Sequence, residues 1–161
     1  MSDCCSVNTT QSPVSAEMPC PVSGTRSKQM DLVTVQSLVR HLPFGMARAQ
    51  YYFCEAADCD VVYFPSNPTA PTFHRGDLLV RVGVKEAHDP IPVCYCFGIT
   101  RKTLEEEIRH TGQSTVAERI KAEVKAGRCA CQLKNPSGRC CLGDVARAVK
   151  EAFMDWQGEG K

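Results

Sequence analysis

The chain has 161 residues, a formal net charge of +1 and eleven cysteines. A nearly neutral chain offers no electrostatic basis for binding nucleic acid or an anionic membrane, and no apolar run approaches the ~20 residues that span a bilayer. The odd cysteine count, without a basic and apolar leader at the start, argues against a secreted disulfide scaffold. It favours a reducing cytoplasm, where thiolates are free to bind metals.

Residues 1–17 are rich in Ser, Thr, Asn and Pro, and this composition predicts a flexible tail. The vicinal pair Cys4 and Cys5 is its one chemical feature. A mobile dithiol could capture a soft ion such as Cu(I) or Zn(II). Two ordinary exposed thiols are an equal alternative.

Residues 18–90 are predicted to form a small β-rich domain. Cys20 opens it in the word Cys-Pro-Val-Ser-Gly, which has the form of a zinc knuckle with Ser23 where a second cysteine is usual. Cys54 and Cys59 lie further along, with four residues between them, and are flanked by segments of strand propensity at 50–53 and 60–64. A hairpin tip with two thiols is a half-site for tetrahedral zinc, or simply a pair of semi-buried thiols.

The rest of this domain carries weaker signals. The apolar residues of 33–39 fit one or two helical turns or a strand, and periodicity alone does not decide between them. Residues 78–83 alternate in the manner of a strand. The proline-containing segment 85–92 is predicted to be a linker.

Residues 91–156 are predicted to be helical. Cys94 and Cys96 sit in a predicted loop between Pro92 and Gly98. A first helix should begin at a Thr cap, Thr100 or Thr103, and run to about residue 110.

Two further helices follow in the sequence. The second should begin at the capping-box word Thr115-x-x-Glu118 and end at Gly127. The third should span 142–156. Three short helices bury little surface, so a bound cofactor should supply much of the stability of this domain.

Four cysteines fall within 127–143, namely Cys129, Cys131, Cys140 and Cys141. The word Asn-Pro-Ser-Gly at 135–138 predicts a turn that brings the two halves of this segment together. Combined with Cys94-x-Cys96, four thiolates from two loops suit either zinc or an iron–sulfur cluster.

The cysteine pattern, with a helical hairpin between its two halves, resembles the [2Fe–2S] domain of bacterioferritin-associated ferredoxin-like (BFD-like) proteins. The words RVGVK at 81–85, PVCYC at 92–96 and NPSGRCC at 135–141, with YFC at 52–54 and VVYF at 61–64, resemble the N-terminal domain of CopZ-type copper chaperones. The resemblance covers roughly residues 18–155.

The resemblance implies an α+β protein with two metal centres. The cluster ligands would be Cys94, Cys96, Cys131 and Cys141, with Cys129 and Cys140 as bystanders. A mononuclear zinc would be held by three cysteines, Cys20, Cys54 and Cys59. Its fourth ligand is left open between Cys4 or Cys5, a histidine and water, and His74 is the histidine to test.

The function implied is a metallochaperone or accessory protein in copper handling that transfers single electrons and could reduce Cu(II) to Cu(I), rather than an enzyme in the usual sense. No Met-x-Cys-x-x-Cys copper-carrier word is present, so delivery would fall to a copper-carrier domain, a copper transporter or another partner. The alternatives are a ferredoxin-like docking module for an oxidoreductase, and a zinc-only adaptor. Pairing of two chains is left open.

Overall fold

The structure, a computed structural model, describes residues 16–160, so Cys4 and Cys5 lie outside it. Its first half is a five-stranded antiparallel sheet in which each strand pairs with the next along the chain. The strands, β1 to β5, are Glu17–Pro19, Arg26–Met30, Tyr51–Phe53, Val61–Pro65 and Phe73–His74. Glu17, the last residue of the segment predicted as a tail, pairs with Lys28 in this sheet.

The β3–β4 hairpin lies at the centre of this sheet, and both of its faces are buried. Side chains alternate across a strand, so Tyr51 and Phe53 enter one core with Tyr63, while Tyr52 and Phe64 enter a second. The rings of Tyr52 and Phe64 stack with centroids 5.5 Å apart. The predicted hairpin is confirmed, and packing on both faces fixes the position of its tip.

The apolar residues of 33–39 form a helix rather than a strand. Helix α1, Leu32–Leu38, buries Val35 and Leu38 completely or nearly so. Asp31, which precedes the helix, and Val39, which follows it, both have extended backbone conformations.

The strand predicted at 78–83 is wrong. Leu78 makes a single bridge to Val39, and no further ladder forms. The chain instead enters a short 3-10 turn at Gly83–Lys85. Leu78 and Val82 are buried in the sheet core. The alternating pattern therefore reflects the burial of these side chains and not the pairing of a strand.

The second half is helical, as predicted. A two-stranded ribbon of β6 and β7 precedes four helices, α2 to α5. The core between them contains Leu104, Val116, Ile120 and Val145. These elements are Pro92–Cys94 and Ile99–Thr100 for the ribbon, and Arg101–Thr111, Val116–Lys125, Cys131–Lys134 and Leu142–Glu159 for the helices.

The predicted N-terminal cap is confirmed for α2 but not for α3. The Thr100 hydroxyl accepts a hydrogen bond from the Thr103 N–H, which caps α2. The capping box predicted at Thr115 is wrong, since its side chain makes no cap bond. The Thr115 hydroxyl instead donates to Glu107 at 2.8 Å, joining the start of α3 to α2.

One local prediction around the cysteine pair also needs correction. Cys94 is not in a loop but is the last residue of β6, and only Cys96 lies in the following turn. The architecture is an α+β arrangement of a small antiparallel sheet and a helical half. Within residues 16–160, no helix combines the length and apolarity needed to cross a membrane.

Candidate metal centres

The first candidate centre is formed by three cysteines at one end of the sheet. Cys54 extends β3, since its N–H donates to the Val62 carbonyl at 2.9 Å, and Cys59 precedes β4. Cys20 follows β1. The three sulfur atoms all lie within 4.8 Å of one another, and the residues are 2%, 0% and 5% exposed for Cys20, Cys54 and Cys59. The structure thus brings together the three residues that the sequence proposed for zinc.

Residues 20–24, which have the form of a zinc knuckle, fold into a tight turn beside the three cysteines. The Gly24 N–H donates to the Cys20 carbonyl at 2.8 Å, and Gly24 adopts the left-handed region that glycine favours. The Ser23 hydroxyl lies 3.4 Å from the Cys54 sulfur. Burial raises the pKa of Cys20, but hydrogen bonds from Ser23 and Val22 outweigh it and bring the pKa down to about 7. The turn is therefore built to favour a thiolate.

Lys85 is a residue at this centre that the sequence analysis did not identify. It is 4% exposed, and its ammonium donates to the carbonyls of Ala56 and Cys59 at 2.6 and 2.9 Å. Its charge also acts to lower the pKa of Cys54, although burial raises that pKa overall. A lysine is rarely this buried without a compensating partner, and no periodic pattern in the sequence marks it.

The fourth ligand proposed for zinc is not supplied by a histidine in the part of the chain that the structure describes. No histidine, aspartate or glutamate there joins the three sulfur atoms within 4.8 Å. His74 is exposed and takes part in the cap of the short turn at Arg75–Asp77, with its Nδ1 3.6 Å from Asp77. Cys4 and Cys5 fall outside the described residues.

The second candidate centre lies in the helical half, where three buried cysteines share one core and the half-buried Cys96 packs against it. Cys94 ends β6, Cys96 follows it in the turn, Cys131 is the first residue of α4, and Cys141 caps α5. Cys94 and Cys141 are each 1% exposed, and Cys131 is 8% exposed. Elements distant in sequence therefore converge on one set of thiols.

These four sulfur atoms are arranged as two pairs. The Cys141 thiol donates to the Cys94 sulfur at 2.9 Å, and the sulfurs of Cys96 and Cys131 lie 3.5 Å apart. The bond from Cys141 lowers the pKa of Cys94 to about 6, and the same bond together with burial raises the pKa of Cys141.

The two pairs do not merge into a single compact group. Across residues 16–160, the group around Cys54 is the one set of three or more potential ligands lying mutually within 4.8 Å. A tetrahedral zinc ion, with Zn–S bonds of about 2.3 Å, needs all of its sulfurs that close. The four sulfurs of the helical half therefore form two pairs and not one compact tetrahedral set.

Backbone N–H groups point at the sulfurs of this centre. The Ala130 N–H donates to the Cys96 sulfur at 3.2 Å. Burial raises the pKa of Cys131 to about 11, against the effect of a hydrogen bond from the Cys141 N–H. Such bonds stabilise negative charge on sulfur and are one of the features that set a cluster's potential.

The two remaining cysteines of the segment lie outside both pairs. Cys129 is half-buried against the helical core, and Cys140 is exposed. Within residues 16–160, neither sulfur forms a hydrogen bond with another cysteine sulfur. Their role as bystanders stays a prediction.

The Asn-Pro-Ser-Gly turn joins the two centres to each other. The Gly138 N–H donates to the Asn135 carbonyl at 2.7 Å, which confirms the predicted turn. The buried Tyr63 hydroxyl, from the sheet, donates to the Pro136 carbonyl at 2.5 Å. Beside the turn, Arg139 forms an ion pair with Glu55 from the tip of the β3–β4 hairpin. The β3–β4 hairpin and the segment 127–143, which contains four cysteines, are therefore in direct contact.

A cleft of about 640 Å³ lies along this junction. Its walls come from both halves and include Tyr95, Arg139 and the exposed Cys140. Acidic side chains also line it, namely Glu55, Glu86, Asp144 and Glu151.

Comparison with known proteins agrees with this geometry. A CopZ-type family model described as a zinc binding domain matches residues 17–78. The copper chaperone CopZ of Archaeoglobus fulgidus is 37% identical over 130 residues, which are 81% of this chain and 61% of that protein. The chain thus spans less than two thirds of the length of this relative.

The solved structure of the Archaeoglobus fulgidus CopZ N-terminal domain is also similar. It shares 37% identity with this chain at a TM-score of 0.65, covering 81% of this chain and 96% of that one. The likeness extends beyond the zinc-matching residues into the helical half, because 81% of the chain is covered. The chain belongs to the family of the CopZ N-terminal domain.

Proposed function

We propose that this protein holds a zinc ion and a [2Fe–2S] cluster and serves copper handling by transferring single electrons. The observation that carries the proposal is the convergence of Cys94, Cys96, Cys131 and Cys141 as two sulfur pairs in one buried core. The domains would be 1–17 as a tail, 18–90 for zinc and 91–156 for the cluster.

The zinc ion would be held by Cys20, Cys54 and Cys59. Their mutual spacing within 4.8 Å fits one ion. The ion would tie the turn after β1 to the tip of the β3–β4 hairpin. Its role is therefore structural: it fixes the hairpin whose Glu55 meets Arg139 beside the second centre.

The cluster would be held by Cys94, Cys96, Cys131 and Cys141, two thiolates from each sulfur pair, since a [2Fe–2S] cluster takes four protein thiolates. When bound, such a cluster accepts and donates one electron. The chain's own contribution is to bury Cys94 and Cys141, to aim the Ala130 N–H at Cys96, and to place the N-terminus of α5 at Cys141. The N–H bond and the helix N-terminus stabilise negative charge on the sulfurs, whereas burial shields the site from water.

Copper enters the proposal as a substrate. The relative is a copper chaperone by name, and one electron from the reduced protein would convert Cu(II) to Cu(I), with a redox partner supplying the next electron. We place its approach at the cleft where Cys140 is exposed, since thiols are soft ligands that suit Cu(I). Delivery would involve a copper-carrier domain or a copper transporter, in the cytoplasm.

The proposed reduction can be tested directly. Reduced protein is mixed with Cu(II) and a chromogenic Cu(I) chelator, and Cu(I) formation is compared with that of the Cys94→Ser variant, which should lack the cluster. We expect faster Cu(I) formation with the cluster-containing protein. Equal rates would contradict a copper role and favour a plain electron carrier that docks to an oxidoreductase.

A further inference from the structure

An exposed serine, Ser23, lies against the buried three-sulfur centre. Cys20, Cys54 and Cys59 are each at most 5% exposed, while Ser23 lies at the surface of the turn above them. Ser23 occupies the fourth position of the Cys-Pro-Val-Ser-Gly word, three residues after Cys20.

The hydroxyl of Ser23 faces the sulfur atoms. Its oxygen lies 3.4 Å from the Cys54 sulfur. The Thr25 N–H donates to the same oxygen at 3.3 Å, which fixes the orientation of the side chain. An oxygen with a second lone pair is thus held beside one of three sulfurs that lie mutually within 4.8 Å.

The charge around the centre favours a neutral fourth ligand. A divalent ion with three thiolates carries one net negative charge, and the buried Lys85 ammonium supplies one positive charge at the same loop. A fourth thiolate would add a negative charge, and within residues 16–160 no cation besides Lys85 bonds to this centre; unpaired buried charge is costly. A hydroxyl adds none.

We propose that the Ser23 hydroxyl is the fourth ligand of the zinc ion, so that the centre binds zinc through three sulfurs and one oxygen. This inference rests on the zinc site of the proposed function. The consequence is a site that holds zinc less tightly than a four-cysteine knuckle, because a neutral oxygen is a weaker donor to zinc than a thiolate.

Zinc-edge X-ray absorption on the full chain tests the proposal, because it counts the atoms bound to zinc without interference from iron. We expect three sulfur scatterers and one oxygen scatterer in the protein as it stands. Four sulfurs would overturn the proposal and point to Cys4 or Cys5, and an imidazole signal would overturn it in favour of a histidine. A protein without zinc at this centre would instead contradict the zinc site itself.

Two substitutions sharpen the result. Ser23→Cys should give four sulfur scatterers and a zinc affinity higher by roughly tenfold to a hundredfold in chelator competition. Ser23→Ala should lower that affinity by a similar factor. Ser37→Cys on helix α1, where the native hydroxyl donates to the Val33 carbonyl, is the matched control and should change neither quantity. Unchanged affinity in both Ser23 variants would show that Ser23 is not a ligand.

Discussion

The two centres use the same ligand chemistry with different spacing. At the sheet, three cysteine sulfurs lie mutually within 4.8 Å, as one tetrahedral ion requires. In the helical half, four sulfurs form two pairs, Cys94 with Cys141 and Cys96 with Cys131. The distances between sulfurs, more than the number of cysteines, therefore indicate which inorganic group a site fits.

The scaffolds of the two centres differ as well. The zinc hairpin is packed on both faces by aromatic side chains such as Tyr52 and Tyr63, so its shape does not depend on the ion alone. In the helical half, Cys94, Cys131 and Cys141 are themselves part of the hydrophobic core. Removing the cofactor should therefore loosen the helical half more than the sheet.

The largest effect is expected from removing a cluster ligand. Substituting Ser for any one of Cys94, Cys96, Cys131 or Cys141 should abolish the visible absorption of the oxidised cluster, because each sulfur belongs to one of the two pairs. Cys129→Ser and Cys140→Ser are the matched controls and should keep the absorption. Loss in Cys129→Ser with retention in Cys131→Ser would show that the ligand register is wrong.

The second prediction concerns loss of the cofactor from the unaltered chain. Chelation of iron under reducing conditions should lower the thermal midpoint by roughly 10 °C, since metal binding of this kind contributes several kcal/mol to folding. Circular dichroism should show the loss mainly in the helical signal. Equal midpoints for the apo and holo forms would contradict the dependence of the helical core on the cluster.

A smaller effect is expected at Lys85. Lys85→Met would leave the carbonyls of Ala56 and Cys59 without their shared donor, which should cost about 1–3 kcal/mol in the free energy of unfolding. Zinc should also be released faster, since the loop before Cys59 loses its anchor. Lys28→Met, on the exposed face of β2, should change neither. Unaltered zinc release in Lys85→Met would separate this lysine from the metal centre.

The smallest effect is expected where the two halves meet. Tyr63→Phe and Tyr51→Phe each remove one hydrogen bond from a buried tyrosine to a proline carbonyl, Pro136 and Pro71 respectively. Both should cost about 0.5–1.5 kcal/mol in denaturant unfolding. Tyr63→Phe alone should speed the bleaching of the cluster under a chelator, because Pro136 lies in the cysteine-rich segment. Equal bleaching in the two variants would show that this contact does not support the cluster.

Much of this fold could be read from local patterns. The strands around Cys54 and Cys59, the turn at 135–138, and helices α2, α3 and α5 follow from strand propensity, turn residues and helical periodicity. These signals lie within a few residues of each other, so the sequence displays them directly.

Features that depend on distant partners could not be read in this way. The alternation at 78–83 predicted a strand, yet only Leu78 finds a partner, because the chain then turns so that Gly83 passes close to Pro92. A Cβ at Gly83 would overlap the Pro92 carbonyl oxygen. Thr115 likewise bonds Glu107 of another helix rather than its own.

The same limit applied at the candidate sites. The cysteines were visible as ligands by residue type, but the burial of Lys85 and the position of the Ser23 hydroxyl arise only when the 20–25 turn and the 83–85 turn meet the hairpin. A serine at the position where a zinc knuckle usually has its second cysteine indicates that the ligand set differs. The sequence motif alone does not show where the serine oxygen points.

The most direct test of the central claim is the metal and acid-labile sulfide content of the full-length protein purified without oxygen. The two-centre account predicts iron and sulfide in equal amounts, about two of each per zinc ion, together with red-brown colour. A colourless protein containing zinc at both centres and no sulfide would contradict it.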